Sequence, residues 1–124
     1  MNILITGSSG FIGYSLALKL LKKKNNKILG FDSINDYYDK KLKISRNNIL
    51  KKYKNFHFVK GKLENLKLLK KSVSRFKPKI IIHLAAQAGV RYSIDYPEKY
   101  ISSNIIGSFN ILQIAKELNV KNLL

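Results

Sequence analysis

Cysteine is absent from the 124 residues, and histidine occurs only at His57 and His83. That leaves no disulfide, no thiolate nucleophile and no cysteine-based zinc site, and two histidines are too few for an ordinary metal centre. No metal ligand is nominated, and both histidines read as satisfied core residues. Acidic residues are also scarce: 7 Asp and Glu stand against 24 Lys and Arg, for a formal charge of +17 and a pI near 10.1. Such a balance ordinarily points to nucleic acid or an anionic membrane. Arginine, however, is nearly missing, being confined to Arg46, Arg75 and Arg91. Nucleic-acid readers use arginine for bidentate contacts and interleave aromatics with basic residues to stack bases, and neither pattern is present. Lysine runs such as Lys22-Lys23-Lys24 and Lys51-Lys52 read as solvated helix ends and turns, and their excess fits AT-rich codons. No nucleic-acid partner is expected, although a positive field attracts anionic nucleotides. The N-terminus lacks a basic leader with a cleavage site, and the longest apolar stretch, around Ile80 to Ala86, is too short to span a bilayer. The expectation is a cytoplasmic protein with no membrane partner. Repeats, linkers and low-complexity tracts are lacking as well.

What is present is an alternation of apolar patterns. Residues 2–6 form a short apolar run ending in glycines, as a buried parallel strand does. From Phe11 to Lys24 the residues Ile12, Leu16, Ala17, Leu20 and Leu21 recur at helical spacing, with lysines in the last turn where they complement the helix dipole. Residues 27–31 form a second strand ending at Asp32. The segment 33–54 begins polar and aromatic, then turns helical with Leu42, Ser45, Ile49 and Tyr53 on one side. A third strand over 56–59 precedes an amphipathic helix over 63–76, which Pro78 stops. The β-branched Ile80-Ile81-Ile82 core suits a central strand over 79–84. Pro97 opens a long helix through Leu118, and residues 120–124 begin a fifth strand. Short loops between alternating strands and helices predict one α/β domain, a Rossmann-type doubly wound parallel sheet in the order 3-2-1-4-5. A full two-half version has a sixth strand, so the sequence reads as cut within strand five: one incomplete NAD-binding domain over 1–124, with no substrate domain.

The chemistry concentrates in three blocks. Between strand one and helix one lies Gly7-Ser8-Ser9-Gly10-Phe11-Ile12-Gly13. In that context Gly7 permits a sharp exit from the strand, Gly10 lets a pyrophosphate approach the backbone, and Gly13 allows close packing of helix on sheet. The helix N-terminus then receives the negative charge. A P-loop fits poorly, because no Gly-Lys-Ser or Gly-Lys-Thr follows. Asp32 stands 19 positions beyond Gly13, where a carboxylate accepts from both hydroxyls of an adenosine ribose and repels a 2′-phosphate. This favours NAD over NADP, a turn-capping surface aspartate being the plainer alternative. The third block, His83 to Ser93, places small residues at the carboxyl end of strand four, where a crevice needs room.

These blocks resemble the extended short-chain dehydrogenase/reductase family of NAD-dependent epimerases and dehydratases, and more narrowly the UDP-glucuronate 4-epimerases. The resembling stretches are residues 5–13, Asp32-Ser33-Ile34-Asn35-Asp36-Tyr37-Tyr38-Asp39, and His83-Leu84-Ala85-Ala86-Gln87-Ala88-Gly89-Val90-Arg91-Tyr92-Ser93, and the likeness runs in order through the whole sequence. It implies that Gly7, Gly10, Phe11, Ile12 and Gly13 hold the pyrophosphate, and that Asp32, Ser33, Asn35 and their neighbours to Tyr37 surround the ribose. Leu84, Ala85, Ala86 and Ser103 would line the cofactor, and Gly89, Val90 and Arg91 would face a nucleotide-sugar substrate, Arg91 by charge-assisted bonds or else as a solvated loop arginine. One departure stands out: Lys62 occupies the place where the family carries an acidic acceptor for the adenine amino group, and a lysine accepts nothing.

The family's catalytic Ser/Thr and Tyr-x-x-x-Lys pair follow strand five, and no catalytic residue is nominated. Tyr37 and Tyr38 belong to the ribose loop, and Tyr92, Tyr96 and Tyr100 lack a lysine four positions on. The resemblance therefore implies the NAD-binding front of a nucleotide-sugar 4-epimerase, inactive alone and a homodimer when complete. A stand-alone NAD-binding module without turnover is the alternative. A basic nucleic-acid binder ranks last.

Overall fold

Five parallel strands in the order β3-β2-β1-β4-β5 make one sheet, as the alternating pattern predicts. The computed structural model describes all 124 residues. β1 is Asn2–Thr6, β2 Lys27–Asp32, β3 Phe56–Lys60, β4 Ile80–His83 and β5 Asn122–Leu123. β1 lies at the centre, with Thr6 opposite Phe31 of β2 on one side and His83 of β4 on the other. Thr6, Asp32 and His83 thus share the carboxyl edge of the sheet, where an open α/β sheet binds its ligands.

Alternation along each strand divides the core between two layers. Ile3, Ile5 and Ile28 pack with Ala17 and Leu21 of α1 (Phe11–Leu21) and Leu50 of α2 (Lys40–Leu50). Leu4, Leu29, Phe31 and Ile81 pack on the opposite face with Leu69 and Val73 of α3 (Leu66–Phe76) and Ile111 and Ile114 of α6 (Gly107–Glu117). Between β4 and α6 the chain forms α4 (Val90–Asp95), α5 (Pro97–Tyr100) and a π-helical segment, Ile101–Ile106.

Several elements differ from their sequence patterns. α1 ends at Leu21, so the lysines beyond it leave the helix rather than fill its last turn. α2 buries Lys43, Asn47 and Leu50, whereas Leu42 and Ile49 are exposed. Its inner face is polar because it lies over the carboxyl edge of the sheet, where Lys43 reaches the carbonyl and side-chain oxygens of Asn35. α3 starts at Leu66, after Asn65 caps the helix by accepting from the Leu68 amide at 3.0 Å. Leu63, outside that helix, is buried against Gly107. The long helix from Pro97 is broken into three pieces by the π turn. His57 is exposed, its ring meeting Phe76 edge-on, and is no core residue.

Candidate functional site

The glycines of the first loop are required by close approach. Gly7 has φ +70°, and a Cβ there would meet the Ala85 nitrogen at 2.9 Å. At Gly13 a methyl would overlap the Gly7 carbonyl oxygen, so loop and helix are in backbone contact. Gly10 is the N-cap of α1, with extended backbone and no side-chain cap. The first-turn amides therefore keep their unmet donor capacity and the positive end of the helix dipole. Phe11 and Ile12 follow, both more than half exposed. They are apolar residues held out of the core at the rim of an opening.

That opening is a cleft of about 950 Å³ at the carboxyl edge of the sheet. One wall is Gly7, Gly10, Phe11, Ile12 and Gly13; another is Asp32, Ser33 and Asn35 from the β2–α2 loop. The third consists of Leu84, Ala85 and Ala86 after β4, with Ser103 from the π-helical segment behind them. All twelve residues expected around a dinucleotide thus face one space. Gly89, Val90 and Arg91 do not line it; they stand exposed beyond its edge, where α4 begins.

Asp32 is buried at 7% exposure, and its two carboxylate oxygens accept from the backbone amides of Ser9 (2.9 Å) and Ile34 (2.8 Å). It thereby ties the glycine loop to the β2–α2 loop. Each oxygen of a carboxylate has a second lone pair, so hydroxyl donors from the cleft remain compatible with this role. The turn-capping alternative and the ribose-binding one are both accommodated by the same side chain.

Sequence reasoning missed the polar inner face of α2. Lys43 is buried beside Asp32, and burial lowers its pKa, with Asp32 and then Asp36 pulling the other way and Arg46 adding to the fall. Arg46 points its guanidinium toward the Ser9 carbonyl at 3.5 Å and lies over the Phe11 and Tyr14 rings. Both cations line the cleft. The spacing of Lys43, Asn47 and Leu50 is itself helical, and a polar stripe in register with a core leucine was the available signal. Lys62 also lines the cleft.

A tyrosine cluster joins two of the walls. The Tyr37 ring contacts Tyr38 and Tyr92, and Tyr92 contacts Tyr96 and Tyr100. Tyr37 Oη occupies the space a Cβ would need at Gly89, whose φ is +99°. Lys99 donates to Tyr92 Oη, and that bond leads the causes that raise the lysine's pKa. Tyr37 and Lys41 do stand four apart, but Tyr37 packs in this cluster while Lys41 is exposed in the first turn of α2, its amide given to Asp39. The loop–helix junction between them leaves the two side chains without a common helical face. Behind the third wall, Asn104 accepts from the Gln87 amide at 2.7 Å and donates to its carbonyl at 3.0 Å. The π turn sets that side chain, an instance of irregular helix at a binding site.

The family model described as GDP-mannose 4,6 dehydratase matches residues 4–123. Protein CapI of Staphylococcus aureus is 50% identical over 124 residues, covering 100% of this chain and 36% of its own length. A probable UDP-glucuronate 4-epimerase of Rhizobium meliloti is 42% identical over the same span, again 36% of its length. Among solved structures, a Bacillus cereus UDP-glucuronic acid 4-epimerase variant in complex with UDP-4-deoxy-4-fluoro-glucuronic acid and NAD superposes with a TM-score of 0.85 at 30% identity. That likeness covers 99% of this chain and 38% of the other. The chain thus spans little more than a third of the proteins it resembles.

Proposed function

The chain belongs to the GDP-mannose 4,6 dehydratase family of nucleotide-sugar epimerases and dehydratases, and on that premise we propose that it is the NAD-binding part of a UDP-glucuronate 4-epimerase. The observation that carries the cofactor is the glycine cradle: side chains are excluded at Gly7 and Gly13, and the uncapped end of α1 opens on the same cleft as a buried carboxylate. A dinucleotide needs that combination, a bare backbone for its pyrophosphate and an acceptor for its ribose. Gly10, Phe11 and Ile12 would hold the pyrophosphate, Asp32 the ribose hydroxyls, and Leu84 to Ala86 the flat wall along the cofactor. When bound, NAD supplies the hydride acceptor. The residues of this chain bind and orient it, and we assign none of them the substrate's proton, so the chain alone is read as binding without turnover. The 4-epimerase assignment rests on relatives bearing that name at 42% identity.

Pairing of two copies of the complete protein extends this reading. Ile101, Ile105, Phe109 and Leu112 form a stripe on the π-helical segment and α6, each more than half exposed. A sedimentation coefficient that rises with concentration, and does so no longer in Phe109→Lys, is the expected outcome.

Calorimetry on the purified chain tests the cofactor. NAD should bind saturably, NADP at least about tenfold more weakly because Asp32 opposes the 2′-phosphate, and Gly10→Val should abolish binding while the fold persists. A folded chain that takes up no NAD would sink the proposal.

A further inference from the structure

Three elements meet at one imidazole behind the cleft. His83 Nδ1 lies 2.7 Å from Thr6 Oγ1 of β1, and His83 Nε2 lies 3.0 Å from Ser108 Oγ of α6. The Thr6 hydroxyl has further partners, since the backbone amides of Leu84 and Ala85 both donate to it at 3.1 Å. The Leu84 amide is shared with the Thr6 carbonyl at 3.3 Å. A hydroxyl has two acceptor sites and one hydrogen. With both acceptor sites taken by amides, the Thr6 hydrogen points to His83 Nδ1, which must therefore be bare. The ring's one proton is then on Nε2 and goes to Ser108. The arrangement that leaves no hydrogen without an acceptor is the neutral imidazole in its Nε2–H form.

We propose that His83 is a positioning residue for the cofactor cleft: as a neutral imidazole it orients the Thr6 hydroxyl, and that hydroxyl fixes the Leu84 and Ala85 amides as one wall. The wall stands directly against the glycine loop: the Ala85 nitrogen and the carbonyl carbon of Leu84 lie about 3 Å from where a Gly7 Cβ would stand, so the two segments are close neighbours. Protonating His83 puts a hydrogen on Nδ1, and Thr6 can then accept from the ring only by releasing an amide.

The ring is faced by Thr6 from β1 and Ser108 from α6, while the main-chain oxygen of Leu124, after β5, accepts from the His83 amide at 2.8 Å. No charged side chain contributes to its titration; burial alone lowers the pKa from the usual 6.5. The neutral ring, and with it the ordered wall, is complete above that value. It is lost as the pH falls through the lowered one.

The inference rests on the proposed NAD site, and two kinds of readout separate them. In 15N spectra of the chain, with His57→Gln to assign the rings, His83 should carry its proton on Nε2 at neutral pH, and the Leu84 and Ala85 amide signals should move with its titration. NAD affinity should fall below the His83 pKa by up to about tenfold per pH unit, the limit for one coupled proton. His83→Asn keeps an acceptor toward Thr6 but cannot titrate, so it should bind NAD with a flat profile across the pH range in which the wild-type ring is seen to titrate. Thr6→Val should weaken binding at every pH. A proton found on Nδ1, amide signals indifferent to the titration, or coincident profiles for the wild type and His83→Asn would each overturn the proposal. If NAD does not bind at all, the proposed function falls, and the ring and amide signals still decide the relay.

Discussion

A buried carboxylate that holds two loops together is expected to act on stability and on binding, and Asp32 allows the two to be measured apart. Its oxygens take the Ser9 and Ile34 amides. Asp32→Ala leaves both donors without an acceptor, at about 1–3 kcal/mol for each, so urea denaturation should show a large loss. Asp32→Asn keeps one acceptor oxygen and places an NH2 group where the other stood. It should lose less stability than the alanine variant and should weaken NAD binding by at least about tenfold, because one ribose acceptor becomes a donor. If the asparagine variant binds NAD as the wild type does, Asp32 is a loop tie alone. The glycines set a different kind of constraint. Gly30 of β2 has no side chain because the Ser8 hydroxyl and the Phe56 ring occupy the place a Cβ would take, at 2.6 and 2.8 Å. The glycine that looks unnecessary in a strand is thus part of how the phosphate-side loop seats on the sheet.

At the scale of elements, Asn65 offers a clean test of local encoding. Its side chain caps α3, whose inner face, Leu69 and Val73, closes one layer of the core. Asn65→Ala should cost about 0.5–2 kcal/mol in thermal or denaturant unfolding and leave NAD binding unchanged, since Asn65 lies outside the cleft. How much was legible in the sequence follows the same division between local and distant causes. Period-two and period-3.6 patterns depend on near neighbours and were enough to place the strands; the order of the sheet followed from their alternation with helices, and the glycine loop from its spacing between strand and helix. α2 departs from its apolar pattern because Leu42 and Ile49 are exposed while Lys43 and Asn47 are buried, Lys43 at the cleft. The helix itself carries only a polar stripe in register with Leu50; what that stripe meets, the Asn35 oxygens of the β2–α2 loop that accept from Lys43, lies outside any window of the helix. The π turn was likewise invisible. Within it Asn104 meets Gln87, and just after it Ser108 of α6 meets His83; both partners come from the end of β4 and the loop that follows it, outside the helix's own pattern.

At the scale of the whole molecule, charge is the dominant unbalanced quantity. Against +17 there is one ion pair, Lys70 with Glu117 at 2.6 Å, and both side chains are about half exposed. An exposed pair contributes about 0–1 kcal/mol, so salt has little attraction to screen and a great deal of lysine–lysine repulsion. Raising sodium chloride from about 0.05 to 0.5 M shrinks the Debye length from above 10 Å to below it and should raise the melting temperature. The same change should weaken NAD binding, because the field of Lys43, Arg46 and Lys62 around the cleft attracts the pyrophosphate over the distances that salt screens. Stability and affinity are therefore expected to move in opposite directions with ionic strength, in paired melting and calorimetry series. Affinity that holds constant while the melting temperature rises would mean that the cleft cations act only through contact, and that the net charge of the chain serves no part of ligand capture.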